Sequence, residues 1–346
     1  MGENLTLMFR EAASAPQCAS RQLERNRDLV AEAAGRLQSL DPPFALTIAR
    51  GSSDHAASFA KHLLETRLHI PVASLPPSVT TLYQTKLKVR GALAIAISQS
   101  GRSPDLIEAA REVREAGATL VALVNDTASP LAREADILLP LHAGEERSVA
   151  ATKSFIASLV AIADLVSRWR EDEALRGALA SVDDVLHRAW KQDWSAALEP
   201  LATCSRMLVL GRGPTLPIAG EAALKLKETC QIQGEAFSSA EVAHGPMTLV
   251  GEGDPVLAFV PQDAGAQGFA ERLATFRERG ARVLAVGTAD AQLDGGIGLP
   301  QAKSTDPVVS AIAMIESFYR LAEALARMRG LDPDNPPYLS KVTQTR

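Results

Sequence analysis

A chain of 346 residues, 46% hydrophobic and 22% charged, with a formal net charge of -5, has the make-up of a soluble globular protein with room for two domains. The mild acidic excess, without a long Lys/Arg run, gives no electrostatic reason to expect nucleic acid, and no apolar stretch approaches the length of a membrane span. The three cysteines, Cys18, Cys204 and Cys230, lack metal or redox spacing and read as reduced and buried, which points to the cytoplasm.

The N-terminus, MGENLTLMFREAAS, lacks the basic start and apolar core of a signal peptide. It matches an N-myristoylation pattern from Gly2 to Thr6 and a glycosylation sequon, Asn4-Leu-Thr6, two short motifs with no supporting context. Next, FALTIARGSSDHAASFAKHLLE (44 to 65) predicts a buried strand, a glycine turn and a helix. The run GALAIAI predicts a second strand, which ends in SQSGRS and a helix starting SPDLIEAAREVREAG. GATLVALVN from Gly117 and ILLP up to Pro140 predict two more strands. The loop GEERSVAATKS (144 to 154) opens a helical linker, ATKSFIASLVAIADLVSRWR, continued by LRGALASVDDVLHRAWKQDW.

The pattern then recurs. RMLVLGRGPTLPIAGEAALKLKE (206 to 228) has the strand, glycine turn and helix of the first segment, and Gly213 lies as far from Gly51 as Val256 lies from Ala94. GARVLAVGT from Gly280 follows GATLVALVN, and IGLP follows ILLP, at almost the same separation. This predicts a duplicated α/β unit, each copy a doubly wound parallel sheet between helices, with a division near residue 195 into domains 1–195 and 196–346. In such sheets ligands bind outside the carboxyl ends of the strands, near the point where strand order reverses, and the polar loops of this chain sit there.

Wrapped around the start of a helix, Ser98, Gln99, Ser100 and Ser103 would place donors beside unsatisfied backbone N–H groups and the positive end of the helix dipole, a phosphate cradle that needs no lysine. Ser52 and Ser53, in RGSSDH, are further donors. The competing reading is a polar turn with Ser103 as a helix cap; the second copy, which has VPQDAG in place of SQSGRS, favours the cradle. Glu145 and Glu146 are candidates for sugar hydroxyls or simply for a helix start. Lys225 and Glu228 share a helical face, close enough to act on one substrate, although spacing alone favours a surface helix with a Glu221–Lys225 pair. His244 lies in SSAEVAHGPMTLV, and the six histidines show no zinc-type cluster. The LGRG turn lacks the third glycine of a dinucleotide loop, and SQSG lacks the first glycine of a hydrolase elbow.

Taken together, GSSDHAA, SQSGRSPD, SVAATKS, LGRG with ALKLKE, EAFSSAEVAHGP and LSKVTQ make the chain resemble the sugar isomerase (SIS) phosphosugar-binding family over nearly its whole length. It is similar to the isomerase half of the glucosamine-6-phosphate synthases and, through GRGSSDHA, VALVND, AGEE and SKVTQT, to the type II glucosamine-6-phosphate deaminases. The synthases begin with a glutaminase domain, whereas this sequence starts Met1-Gly2 directly before SIS-like residues, which favours the deaminases. The resemblance implies two tandem SIS domains and phosphate binding by Ser98, Gln99, Ser100 and Ser103, with Ser53 and the Val149 to Ala151 backbone completing the sugar site. It implies Glu228 as the base between C1 and C2 and His244 as the ring-opening group from a partner subunit, hence a homodimer. Lys225 would stabilise enolate charge, and Lys341 would close over the substrate. No metal or redox cofactor, nucleic acid or membrane is implied. Gln233 stands where the synthases often have histidine, and Ser103 where they have threonine. A fructosamine-6-phosphate deglycase, an ammonia-dependent isomerase or aminotransferase and a non-enzymatic phosphosugar sensor remain alternatives.

Overall fold

Among the described residues the short apolar runs pair in register into two five-stranded sheets, and every pairing is parallel. The computed structural model describes residues 5–288, 293 and 295–341. Gly2, Asn4 and the Val342 to Gln344 end of the last motif lie outside them.

The first sheet contains β1 (Ala45–Ile48), β2 (Val72–Ser74), β3 (Leu93–Ser98), β4 (Thr119–Val124) and β5 (Ile137–Pro140) in the order β2-β1-β3-β4-β5. In the second, β6 (Arg206–Gly211), β7 (Gln233–Ser238), β8 (Pro255–Phe259), β9 (Arg282–Val286) and β10 (Ile297–Leu299) follow the same order read from the opposite edge. The central strands are buried almost throughout, which is why they read as continuous apolar runs rather than alternating ones. In each sheet the winding reverses between the first and third strands, β1 and β3 in one, β6 and β8 in the other. The carboxyl ends of those pairs are the two positions where this architecture opens a crevice.

The chain forms two compact units, each assembled from separate stretches. The unit with the first sheet comprises Gln17–Glu146, Lys153–Ala180 and the chain from Ser340. Its helix Pro104–Glu115 buries Leu106, Ala109, Ala110 and Val113, spaced to form one stripe, in the same apolar cluster as Ala94, Ala96 and Leu120 of the sheet. Helix Lys153–Arg170, buried along nearly its whole length, packs against helices Arg27–Leu40 and Ser52–Arg67.

The unit with the second sheet comprises the chain up to Pro16, Arg147–Thr152 and Ser181–Leu339. Its helix Pro307–Met328 packs against helices Leu7–Ala13, Val182–Trp190 and Leu216–Cys230. The stretch expected as a helical linker is three helices, Lys153–Arg170, Glu173–Leu179 and Val182–Trp190, broken at Glu171, whose φ of 58° does not continue a helix, and again at Ser181, whose backbone is not helical. All three cysteines are free thiols, but Cys204 is half-buried rather than buried, because the turn before β6 leaves it near the surface. No helix of the described residues is long and apolar enough to cross a membrane.

Candidate functional site

At the end of β1, Gly51 takes a φ of 55° and turns the chain into helix Ser52–Arg67, so Ser52 and Ser53 stand in its first turn, half-buried. At the end of β3 comes the serine loop. Ser98 Oγ accepts the Gly101 N–H at 3.0 Å, and Ser100 Oγ accepts the Arg102 N–H at 3.3 Å. A hydroxyl that accepts in this way still has its own proton to give to a ligand. Gln99 and Gly101 hold the loop through their carbonyls, which accept from the Asn125 and Leu131 N–H groups at 3.2 Å each. Ser103 occupies the N-cap position of helix Pro104–Glu115 but makes no side-chain capping bond, so the alternative of a plain helix cap does not describe it.

The loops after β1 and β3 are tied across the switch point by Arg50, which pairs with the buried Asp105 carboxylate at 2.7 Å. Burial pushes the Asp54 carboxyl above its usual range, against the opposing pull of Arg50. Hydroxyls and helix N-terminal amides thus stand together at the switch point, with Arg50 paired to Asp105 and Arg102 to Asp126. Such an arrangement suits an oxyanion ligand held by hydrogen bonds.

In the same unit, Glu146 has a side chain with 0% exposure. It accepts from the Ser154 N–H at 3.1 Å and the Ser154 hydroxyl at 2.5 Å, bonds that fix the start of helix Lys153–Arg170. Lys341 completes the group, its Nζ 2.9 Å from Glu146 Oε2. Glu145, by contrast, is exposed and contributes its carbonyl to the Lys153 ammonium.

In the other unit, Glu221, Lys225 and Glu228 line one face of helix Leu216–Cys230. The Lys225 ammonium lies 3.5 Å from Glu221 and donates to Glu228. The i, i+4 pair expected of a surface helix is therefore present, but it is buried: exposure is 0% for Glu221 and Lys225 and 21% for Glu228. Tyr319 donates its hydroxyl to Glu221 at 3.2 Å. Of the three charged groups, the Glu228 carboxylate is the one open to solvent, oriented by an ammonium that helix packing holds in place. Val149 and Ala151 are half-buried in the Arg147–Thr152 loop, where the Val149 N–H donates to the Asp334 carbonyl at 3.3 Å. His244 is exposed at the end of the short turn Glu241–His244, followed by Gly245 with a φ of 137°.

The sequence reading missed Asp105, Tyr319, Glu11 and Asp334. Each acts through a partner far along the chain, a relation that local spacing cannot carry. Among the described residues, no group of three or more His, Cys, Asp or Glu side chains is placed to hold a metal ion.

Two parallel sheets of identical order, with hydroxyl donors at a switch point, define a doubly wound α/β protein. The SIS domain family model matches residues 44–168 and 200–292, and the chain belongs to that family. It is 37% identical over 302 residues to the glutamine–fructose-6-phosphate aminotransferase (isomerizing) of Methanothermobacter thermautotrophicus, a match covering 85% of this chain and 50% of that protein. The chain thus spans about half the length of the curated relatives it matches. A crystal structure from Silicibacter pomeroyi, described provisionally as a phosphosugar isomerase, superposes with a TM-score of 0.91 at 42% identity, over 95% of this chain and 100% of that one. A glucosamine-6-phosphate deaminase from Thermotoga maritima has a TM-score of 0.78 at 20% identity, over 98% and 100% of the two chains, a likeness of fold alone.

Proposed function

We propose that the chain is a glucosamine-6-phosphate deaminase, which isomerises its substrate by C1–C2 proton transfer and releases fructose 6-phosphate and ammonia. The observation that carries this reading is the ion-pair array of helix Leu216–Cys230, in which buried Lys225 directs the solvent-accessible carboxylate of Glu228. A proton moved between adjacent carbons needs one carboxylate able to reach both, with cationic donors for the enolate-type charge that develops. Ser98, Gln99, Ser100 and Ser103 hold the phosphate with Ser52 as a further donor, and Ser53 and the Val149 to Ala151 backbone complete the sugar site.

His244 opens the pyranose ring. Glu228 then takes the C2 proton of the open-chain aldose and returns it to C1, and the C2 imine so formed adds water and loses ammonia. Lys341, whose ammonium pairs with Glu146, closes over the substrate. The two sheets are read as tandem SIS domains, 1–195 and 196–346, and the protein as a cytoplasmic homodimer with His244 supplied by the partner.

Similarity to the isomerase half of an aminotransferase favours one second reading: the same residues running in reverse, making glucosamine 6-phosphate from fructose 6-phosphate and free ammonia. Purified protein offered glucosamine, galactosamine and mannosamine 6-phosphates, an amino-acid adduct of fructose 6-phosphate and, separately, fructose 6-phosphate with free ammonia tests both. Ammonia and fructose 6-phosphate from the first substrate are expected. Release confined to the adduct would make the protein a deglycase, and none from any substrate would make it a sensor.

A further inference from the structure

One carboxylate lies outside the machinery described so far and yet is bonded to it. Glu11, on helix Leu7–Ala13, is 8% exposed, and its two oxygens accept consecutive backbone amides of the Arg147–Thr152 loop: the Arg147 N–H at 2.5 Å and the Ser148 N–H at 3.1 Å. Two successive amides are thus turned toward one carboxylate, which fixes the peptide plane of each. The same loop is held from its other side. The Asp334 carbonyl accepts from Val149, while the Asp334 carboxylate accepts the Leu7 and Met8 N–H groups at 2.7 Å each, at the start of the helix that carries Glu11. Within the loop, the Ser148 hydroxyl donates to the Ala150 carbonyl at 2.8 Å.

These bonds spend the amides of Arg147, Ser148 and Val149 on protein groups and fix the orientation of the peptide units that follow. Segments of one unit that are remote in sequence, the N-terminal helix and the turn at Asp334, therefore meet on six residues of loop. A loop wanted only as a connection would not need a buried carboxylate imported from far along the chain, because a carboxylate is costly to bury unless its oxygens are met.

We propose that Glu11 is a positioning residue for sugar recognition. Its carboxylate sets the backbone of Val149 to Ala151 so that the peptide groups there meet the hydroxyls of a phosphosugar, while the phosphate is held elsewhere. The inference rests on the phosphosugar reading of the chain. It predicts a split that general loss of stability would not produce: damage at Glu11 weakens the sugar part of binding and spares the phosphate part.

The test is calorimetric titration of the whole chain with fructose 6-phosphate, glucose 6-phosphate and inorganic phosphate. Glu11→Gln keeps the shape of the side chain but turns an amide N–H₂ toward a backbone N–H. Loss of one charge-assisted hydrogen bond corresponds to about tenfold weaker binding or more, so Glu11→Gln should bind both sugar phosphates at least about tenfold more weakly with its affinity for inorganic phosphate unchanged. Thr6→Ala is the control, since it removes the N-cap of the same helix, the 3.1 Å bond from the Phe9 N–H, together with the 3.0 Å bond that the Thr6 hydroxyl donates to Glu323, and leaves Glu11 in place. It should lower thermal stability without changing any of the three affinities.

If Glu11→Gln does not fold, Glu11→Asp replaces it, with hydrogen exchange at the Arg147 and Ser148 amides as a second readout. Faster exchange together with weaker sugar binding supports the inference, and faster exchange with wild-type sugar affinity overturns it. Equal losses for sugar phosphates and inorganic phosphate would overturn it as well, showing a structural role alone. Wild-type protein that binds inorganic phosphate but neither sugar phosphate would overturn the phosphosugar reading itself, and the inference with it.

Discussion

Gly101 carries two constraints at once in the serine loop. Its φ is 62°, and a Cβ added there would lie 2.2 Å from Ser129 Oγ, a side chain committed to capping the helix Pro130–Glu134 through the Ala132 N–H. Glycine is the residue that meets both demands without strain. Gly101→Ala should therefore cost about 1–3 kcal/mol of stability and also move the Gly101 N–H away from Ser98, weakening inorganic phosphate binding. Chemical denaturation and phosphate titration check the two effects separately, and a variant unchanged in both would show that the loop adapts. The serines of this loop were legible in the sequence because loop, strand end and helix start are adjacent in the chain. Glu11 was not, since it is 136 residues from the amide it holds. Glu221 and Lys225 fell between these cases: their spacing gave the ion pair, but its burial comes from tertiary packing of their helix against helix Pro307–Met328 and the second sheet.

At the scale of elements, the two sheets share an order and differ at their switch points. After β3 the Ser98 and Ser100 hydroxyl oxygens accept backbone amides, so each hydroxyl still has a proton to give, as the proposed phosphate site requires. After β6, a Cβ on Gly211 would lie 2.3 Å from the Thr215 carbonyl oxygen, and the Thr215 hydroxyl donates to Phe259 at the end of β8 at 2.7 Å. That second junction is closed by its own chain, and Asp263 beyond it accepts the Gly265 N–H, an acidic group where an anion would have to enter. The loss of serines from VPQDAG thus has a structural counterpart. Strand order and helix placement followed from the periodicity of each segment, whereas the assembly of each unit from separate stretches did not, because it depends on contacts between distant segments.

Helix Pro307–Met328 yields a prediction of its own. Glu316 is fully buried, neither of its oxygens has a hydrogen-bond partner among the described residues, and burial raises its pKa well above 4.5. The folded chain holds this proton more tightly than the unfolded one, so the stability it confers is complete below about pH 4.5 and is lost as pH rises toward the folded-state value. Glu316→Met removes the dependence. At neutral pH it should be more stable than wild type by about 1–3 kcal/mol, with the gap widening from pH 4 to pH 8 in guanidinium denaturation. A constant gap, or a less stable variant, would mean that the carboxyl has a compensating role.

For the whole molecule, the proposed homodimer and the proposed chemistry make separate demands. If His244 serves a neighbouring subunit, inactive Glu228→Gln chains mixed with inactive His244→Ala chains should regain part of the activity, since one composite site per mixed dimer is intact. No recovery in verified mixed dimers would place the histidine in its own chain's reaction. The chemistry is tested most directly by incubating the protein with glucosamine 6-phosphate in heavy water and examining the product by NMR. Wild-type protein should give ammonia and fructose 6-phosphate with deuterium at C1, to the extent that the Glu228 carboxylate exchanges with solvent. Glu228→Gln should bind the phosphosugar with turnover reduced about 10²- to 10⁴-fold. Ammonia release by Glu228→Gln at the wild-type rate would contradict the assignment of the proton to Glu228.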